Sequence, residues 1–236
     1  MLKKYYLEVL IVVCVILITV KLFFIDYFVV SSRSMENTLK INDIVFINKI
    51  AASYTYNDIV VFKMSNHTNK LIKRVIAMPN DSIEIENTQI LINNKLVKEN
   101  ENIVHQYQYF DSQVNNYSLK SISNSENSNK KDKIKYKKYI VNDTIKFYGL
   151  DWTLDNLGPL WIPKKGSKII ITNKNFSVYQ HILKKETNLD YFDLINKSYE
   201  FKNDYYFLMG DNRHNSRDSR YYGLISKLDI IGKLIY

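Results

Sequence analysis

Between Leu7 and Val20 every residue except Glu8 and Thr19 is apolar, and past Lys21 the run resumes as Leu22-Phe23-Phe24-Ile25. This stretch constrains the chain more than any other. A helix of about 20 apolar residues crosses the hydrocarbon core of a bilayer, and this one lacks the polar face of a helix packed on a soluble domain. Lys3 and Lys4 precede it, so the positive-inside rule predicts a cytoplasmic N-terminus over 1–6. A signal-anchor over 7–28 follows, with residues 29–236 on the far side of the cytoplasmic membrane. Lys21 lies close enough to the outer end to snorkel to the interface. A cleavable signal peptide has the same basic start and apolar core. The exit Asp26-Tyr27-Phe28-Val29-Val30 is bulky, however, and offers no Ala-x-Ala-like site, which favours a retained anchor.

The single cysteine, Cys14, lies inside that run, so no intrachain disulfide is available to the domain that follows. The formal net charge is +9, but the basic residues are scattered and interleaved with acids. No zinc or RNA-binding signature accompanies them. A solvated basic surface suited to an anionic bilayer is the reading, with no nucleic-acid partner, no metal and no cofactor.

Beyond the anchor the apolar runs are short and β-branched or aromatic. Strands are predicted at 44–47, 59–62, 72–76, 82–85, 90–92, 168–172, 205–209 and 230–235. Asn93-Asn94 between two apolar runs predicts a hairpin turn, with an exposed hairpin from Ile90 onward. Only Phe176 to Lys185 has a soluble-helix pattern. The fold class expected is mainly β: one N-terminal transmembrane helix, then an antiparallel β-sheet catalytic domain with a small inserted lobe at about 95–165. Within that lobe, residues 118–138 are rich in Ser, Asn and Lys and read as an exposed, flexible insertion.

Ser-Ser-Arg-Ser at 31–34 follows the anchor at once. A serine hydroxyl becomes a nucleophile when a base removes its proton, and a lysine can be that base when desolvation or a neighbouring cation lowers its pKa. Lys73, inside Leu71-Ile72-Lys73-Arg74-Val75-Ile76, meets that condition. Alternation places it with Leu71 and Val75, and Arg74 with Ile72 and Ile76, and Arg74 would add a positive field. Left to base rates, such a lysine lies on an exposed strand face.

Three segments lend weight to the catalytic alternative. Ser32-Arg33-Ser34-Met35-Glu36-Asn37-Thr38-Leu39 resembles the Ser-x-Ser-Met-x-Pro-Thr-Leu box of type I signal peptidases. Lys73-Arg74-Val75-Ile76-Ala77-Met78-Pro79-Asn80-Asp81 is similar to their Lys-Arg-Val-Ile-Gly-x-Pro-Gly-Asp box. The stretch Gly210-Asp211-Asn212-Arg213-His214-Asn215-Ser216-Arg217-Asp218-Ser219-Arg220 resembles Gly-Asp-Asn-Arg-x-Asn-Ser-x-Asp-Ser-Arg, the most specific of the three. Asn42-Asp43-Ile44-Val45 is a weaker match to Gly-Asp-x-Val.

The resemblance implies a monomeric serine endopeptidase that cuts signal peptides from exported preproteins at the bilayer surface. It implies Ser34 as nucleophile and Lys73 as general base. The Ser34 N–H and Ser32 hydroxyl would hold the oxyanion, Ser216 would orient Lys73, Asp218 and Arg220 would form a supporting ion pair, and Met35 would pack beside the site. The departures are Asn37 for proline, Ala77, Asn80 and Asn42 for glycines, and His214 where Asp is common. Two alternatives stand beside this reading: a catalytically inactive membrane-tethered binding protein of the same fold, and a self-cleaving Ser–Lys repressor. The repressor would carry a DNA-binding module where this chain has its apolar run.

Overall fold

The computed structural model describes residues 2–51, 53–65, 68–111, 116–129, 137–140, 148 and 150–235. Helix α1 (Leu2–Phe23) passes through Phe24 into strand β1 (Ile25–Val29). Then come β2 (Ile44–Asn48), β3 (Ile59–Phe62), β4 (Leu71–Ala77), β5 (Ser82–Glu86), β6 (Gln89–Ile92) and β7 (Lys95–Leu96). The middle of the chain forms β8 (Val104–Asp111), β9 (Asn116–Ser123), α2 (Asn124–Asn129), β10 (Lys137–Lys138) and β11 (Leu157–Trp161). Beyond it lie β12 (Lys168–Ile170), α3 (Asn173–Thr187), α4 (Tyr191–Leu194), β13 (Ser198–Glu200) and β14 (Tyr205–Met209). The chain closes with α5 (Ser219–Tyr222), β15 (Ile225–Ser226) and β16 (Ile230–Leu234).

The main sheet has the strand order β1-β2-β16-β3-β4-β14-β15, and each of its recorded pairings is antiparallel. Its centre, β3 and β4, is buried on both faces. Ile59, Val61 and Ile72 enter one apolar cluster with Val30, Met35 and Leu39, while Val60, Phe62 and Val75 enter another with Tyr206 and Leu208. Strands alternate their side chains between faces, so this division is what the alternating sequence dictates. A second sheet, β11-β5-β6-β7, packs with α3 over a third cluster. Helix α3 begins on a capping box, in which the Thr172 N–H donates to Asn175 Oδ1 at 2.8 Å and the Asn175 N–H donates to Thr172 Oγ1 at 3.3 Å. It buries Val178, Tyr179, Ile182 and Leu183 along one stripe.

The described side chains of α1, Tyr5 to Thr19 and Phe23, are all exposed. Among the described residues no helix is long and apolar enough to cross a membrane. Residues 25–28, predicted as the end of the anchor, leave the helix and pair with β2, from Ile25 opposite Asn48 to Val29 opposite Ile44. Their β-branched and aromatic side chains suit a pleated edge as well as a bilayer, which is why hydropathy alone misplaces them.

Two more expectations change in the middle of the chain. In the 118–138 segment, residues up to Ser123 belong to β9, which pairs along its length with β8, and 124–129 form α2. Residues 130–136 lie outside the described set. A polar strand forms because its partner supplies the ladder, and its own composition carries no trace of that. The Asn93-Asn94 turn is present, both residues at positive φ (51° and 62°), with Leu91 opposite Leu96 and Ile92 opposite Lys95. Its β7 arm is exposed, but Ile90 and Ile92 are buried rather than exposed.

Ten non-glycine residues among those described hold a positive φ: nine asparagines and Thr88. Asn42 (72°) and Asn80 (78°) stand where the resembled boxes carry glycine. Asparagine tolerates the left-handed region better than other side chains with a Cβ. Ala77 ends β4 in strand conformation and needs no glycine. Asn80→Ala is expected to lower thermal stability by about 1 kcal/mol, while Ala77→Gly loses stability instead of restoring anything; thermal melts of the two variants check both signs.

Candidate active site

The nucleophile candidate sits on a tight connection between β1 and β2. Arg33–Met35 form a single 3-10 turn with Ser32 at its N-cap position, and Ser34 is buried at its centre. The first N–H groups of a helical turn have no partner within it, so the Ser34 N–H is directed out of the turn. Glu36 (φ −53°, ψ 146°) and Asn37 (φ 73°) then make a type II turn closed by the Thr38 N–H on the Met35 carbonyl at 3.1 Å. Proline fixes φ near −65° and cannot occupy the Asn37 position of this turn. Asn37→Pro, which would restore the resembled box, is therefore expected to cost more than about 1 kcal/mol and to displace Ser34. Asn37→Gly should retain parental melting and activity; equal melting of the proline variant would overturn this account of the turn.

Lys73 lies on β4, between β3 and β14, with 3 % of its surface exposed. Its ammonium nitrogen is 2.6 Å from Ser34 Oγ and donates to the Ile72 carbonyl at 2.8 Å. Burial pushes its pKa down to about 8; Asp218 and Asp211 oppose that shift and Arg220 reinforces it. The field expected from Arg74 is not the cause. Arg74 instead clasps Asp211, Nε to Oδ1 at 2.8 Å and Nη2 to Oδ2 at 2.6 Å, and also donates to the Asn57 carbonyl. Asp211 takes a further bond from the Thr38 hydroxyl, so this pair ties β4 to the nucleophile turn.

The other expected site residues divide. Ser32 Oγ lies 3.2 Å from Ser34 Oγ, at the mouth of the site. Met35 is fully buried in the apolar cluster beneath the turn. Arg220 and Asp218 form a two-pronged pair, Nε to Oδ1 and Nη2 to Oδ2, both at 2.9 Å and both shut off from solvent. Burial pushes the Asp218 carboxyl up, but the Arg220 guanidinium and the Gly210 N–H more than offset it and hold it below the usual carboxylate range. Ser216 is buried nearby, yet its hydroxyl makes no well-aligned hydrogen bond and does not reach Lys73. It rests on Gly210: a Cβ there would come within 2.2 Å of Ser216 Oγ and 2.5 Å of the Ser34 carbonyl oxygen. Only glycine permits that approach.

The sequence offered no hint of what holds the 210–216 turn. The Asn212 N–H donates to the Ser34 carbonyl at 3.0 Å, and Asn212 Nδ2 donates to Glu36 at 3.1 Å. On the opposite side the lobe expected to be peripheral grips the same turn. The Val104 N–H donates to the Asp211 carbonyl, the Arg213 N–H to the Val104 carbonyl, and Arg213 Nε to Glu99 at 2.9 Å. His214 accepts from the Gln106 N–H at Nδ1 and reaches Asp155 through Nε2 at 3.0 Å. Both ring nitrogens are engaged away from Ser34, so His214 belongs to the lobe contact. Among the described residues no group of three or more His, Cys, Asp or Glu side chains could hold a metal ion.

A family model described as "Signal peptidase, peptidase S26" matches residues 3–146 and 159–236. A signal peptidase I of Buchnera aphidicola subsp. Baizongia pistaciae is 29 % identical over 216 residues, covering 87 % of this chain and 60 % of its own length. "Signal peptidase I P" of Bacillus subtilis subsp. natto is 25 % identical over 231 residues, covering 96 % and 84 %. The signal peptidase I of Aquifex aeolicus is 25 % identical over 245 residues, covering 98 % and 82 %. A buried serine and lysine in hydrogen-bond contact, in a mainly β chain matched over most of its length, lead to one assignment: this chain belongs to the signal peptidase family, peptidase S26.

Proposed function

We propose that the chain is a membrane-anchored serine endopeptidase that cleaves signal peptides from exported preproteins with a Ser34–Lys73 dyad. The observation that carries the reading is the 2.6 Å contact between Lys73 Nζ and Ser34 Oγ inside a buried site. With its pKa lowered to about 8, about a tenth of Lys73 is neutral at pH 7 and can accept a proton. The neutral amine takes the proton of Ser34 Oγ as that oxygen attacks the scissile carbonyl. The oxyanion is held by the Ser34 N–H and the Ser32 hydroxyl, donors aimed at the charge as it develops. Lys73 then protonates the departing amine, and a water deprotonated by the same lysine hydrolyses the acyl-enzyme. The substrate is an extended segment with small side chains at the first and third positions before the cut, added to a strand edge by backbone hydrogen bonds.

The relatives named signal peptidase I support the substrate class. For the anchor, the support is the run from Leu7 to Val20, apolar at every residue except Glu8 and Thr19 and preceded by Lys3 and Lys4. The test is a preprotein incubated with the purified full chain in detergent. The parent should release the mature protein and Ser34→Ala should not; cleavage by Ser34→Ala at the parental rate would sink the dyad. Membranes bearing the chain should retain it through an alkaline carbonate wash, and release into the supernatant would overturn the anchor.

A further inference from the structure

The 210–216 turn is held from two sides, and the lobe side carries a partly buried carboxylate, Glu99, with no part in the chemistry. Glu99 receives Arg213 Nε at Oε1 (2.9 Å) and His105 Nε2 at Oε2 (2.7 Å). Burial pushes this carboxyl up, yet Arg213 and His105 together hold it well below the usual range. Arg213 in turn donates from Nη1 to the Gly210 carbonyl at 2.8 Å. Gly210 lies against the Ser34 carbonyl and the Ser216 hydroxyl with no room for one more carbon. A chain of direct contacts therefore runs from Glu99 through Arg213 and Gly210 to the backbone of Ser34.

We propose that Glu99 is a positioning residue: through Arg213 it fixes where the Gly210 backbone sits, and so sets the placement of Ser34 against Lys73. This rests on the Ser34–Lys73 reading given above. The link is stiff. Asn212 pins the same turn to Ser34 through the backbone, and the Val104–Asp211 and Arg213–Val104 backbone bonds fix its other flank. Glu99 touches neither reacting atom. Displacement of a catalytic group by about 1 Å can cost on the order of a hundredfold in rate, so a loosened Gly210 should appear in turnover rather than in substrate binding.

The experiment measures kcat and KM of the full chain in detergent on a preprotein, for the parent and for Glu99→Ala, Glu99→Gln, Glu186→Ala and Ser34→Ala. Glutamine keeps an acceptor for Arg213, whereas alanine removes it. Glu186 accepts hydrogen bonds from Tyr199, Tyr205 and Asn203 in a knot that shares no residue with the site, so its alanine variant serves as a destabilised control. All are assayed at a temperature where each is folded by circular dichroism. Glu99→Ala should lose about tenfold or more in kcat with KM within about twofold, and Glu99→Gln should recover most of the loss. Glu186→Ala should lose melting temperature but keep its kcat. Parental kcat in Glu99→Ala, or an equal loss in Glu186→Ala, overturns the positioning role. If Ser34→Ala stays active, the dyad reading falls and the proposal falls with it. If Ser34→Ala is dead while Glu99→Ala is unimpaired, only the positioning role is lost.

Discussion

Lys73→Met is expected to abolish turnover while making the domain more stable. Methionine keeps a long apolar stem but has no nitrogen to accept the Ser34 proton. General-base catalysis contributes about 10²- to 10⁴-fold, so cleavage should fall by roughly a thousandfold. Stability moves the other way. The Lys73 pKa is lowered from 10.5 to about 8, so between those values the unfolded chain binds the proton more readily than the folded one. Stability that is present above pH 10.5 is therefore lost as pH falls towards 8, and the loss is complete below it. At about 1.36 kcal/mol per tenfold, the buried amine costs the fold on the order of 3 kcal/mol at neutral pH. Removing it should raise the melting temperature by several degrees. The parent's cleavage rate should rise with pH and level off above about 8. A Lys73→Met protein that is dead but melts well below the parent would show that the amine is not held at an energetic cost. A rate flat from pH 6 to 9 would place the base elsewhere.

Arg220→Leu should be the most damaging change to the fold. Both partners of the Asp218–Arg220 pair are shut off from solvent, and Arg220 also donates to the Arg213 carbonyl at 2.5 Å. Removing one member of a buried pair leaves an uncompensated charge, at about 3–5 kcal/mol. In a chain of this size that is a fall of roughly 10 °C in melting temperature. Asp218→Asn combined with Arg220→Leu should recover part of it, since no charge is then stranded. The parent gains stability from Asp218 only above the ordinary carboxylate pKa, and loses it as pH falls through the lowered value. Arg220→Leu should lack that acid-side loss. A single variant that melts within about 2 °C of the parent would mean that water reaches Asp218 and screens it.

Much of the main sheet was legible because its strands are β-branched runs whose alternation survives in the sequence. Ile59–Phe62 and Tyr205–Met209 match the predicted spans end to end. The proximity of Ser34 and Lys73, 39 residues apart, came from the resemblance; alternation alone could not say what faces Lys73 across the sheet. Contacts fixed by docking were unreadable. Glu99 and Arg213 are 114 residues apart, and nothing in either neighbourhood marks the other. The expected Ser216–Lys73 bond failed for a related reason. Ser216 sits on a turn whose place against Ser34 depends on close packing at Gly210, which its neighbours in sequence do not encode.

The asparagines at positive φ have a consequence for the denatured state. Glycine at those nine positions would relax the native backbone, but each would also enlarge the set of conformations open to the denatured chain. That enlargement is worth about 0.4–1 kcal/mol per position, similar in size to the left-handed strain it would relieve. A chain with only six glycines therefore offsets strained turns with a stiffer denatured ensemble. Its turns can exchange Gly for Asn with little net change in folding free energy.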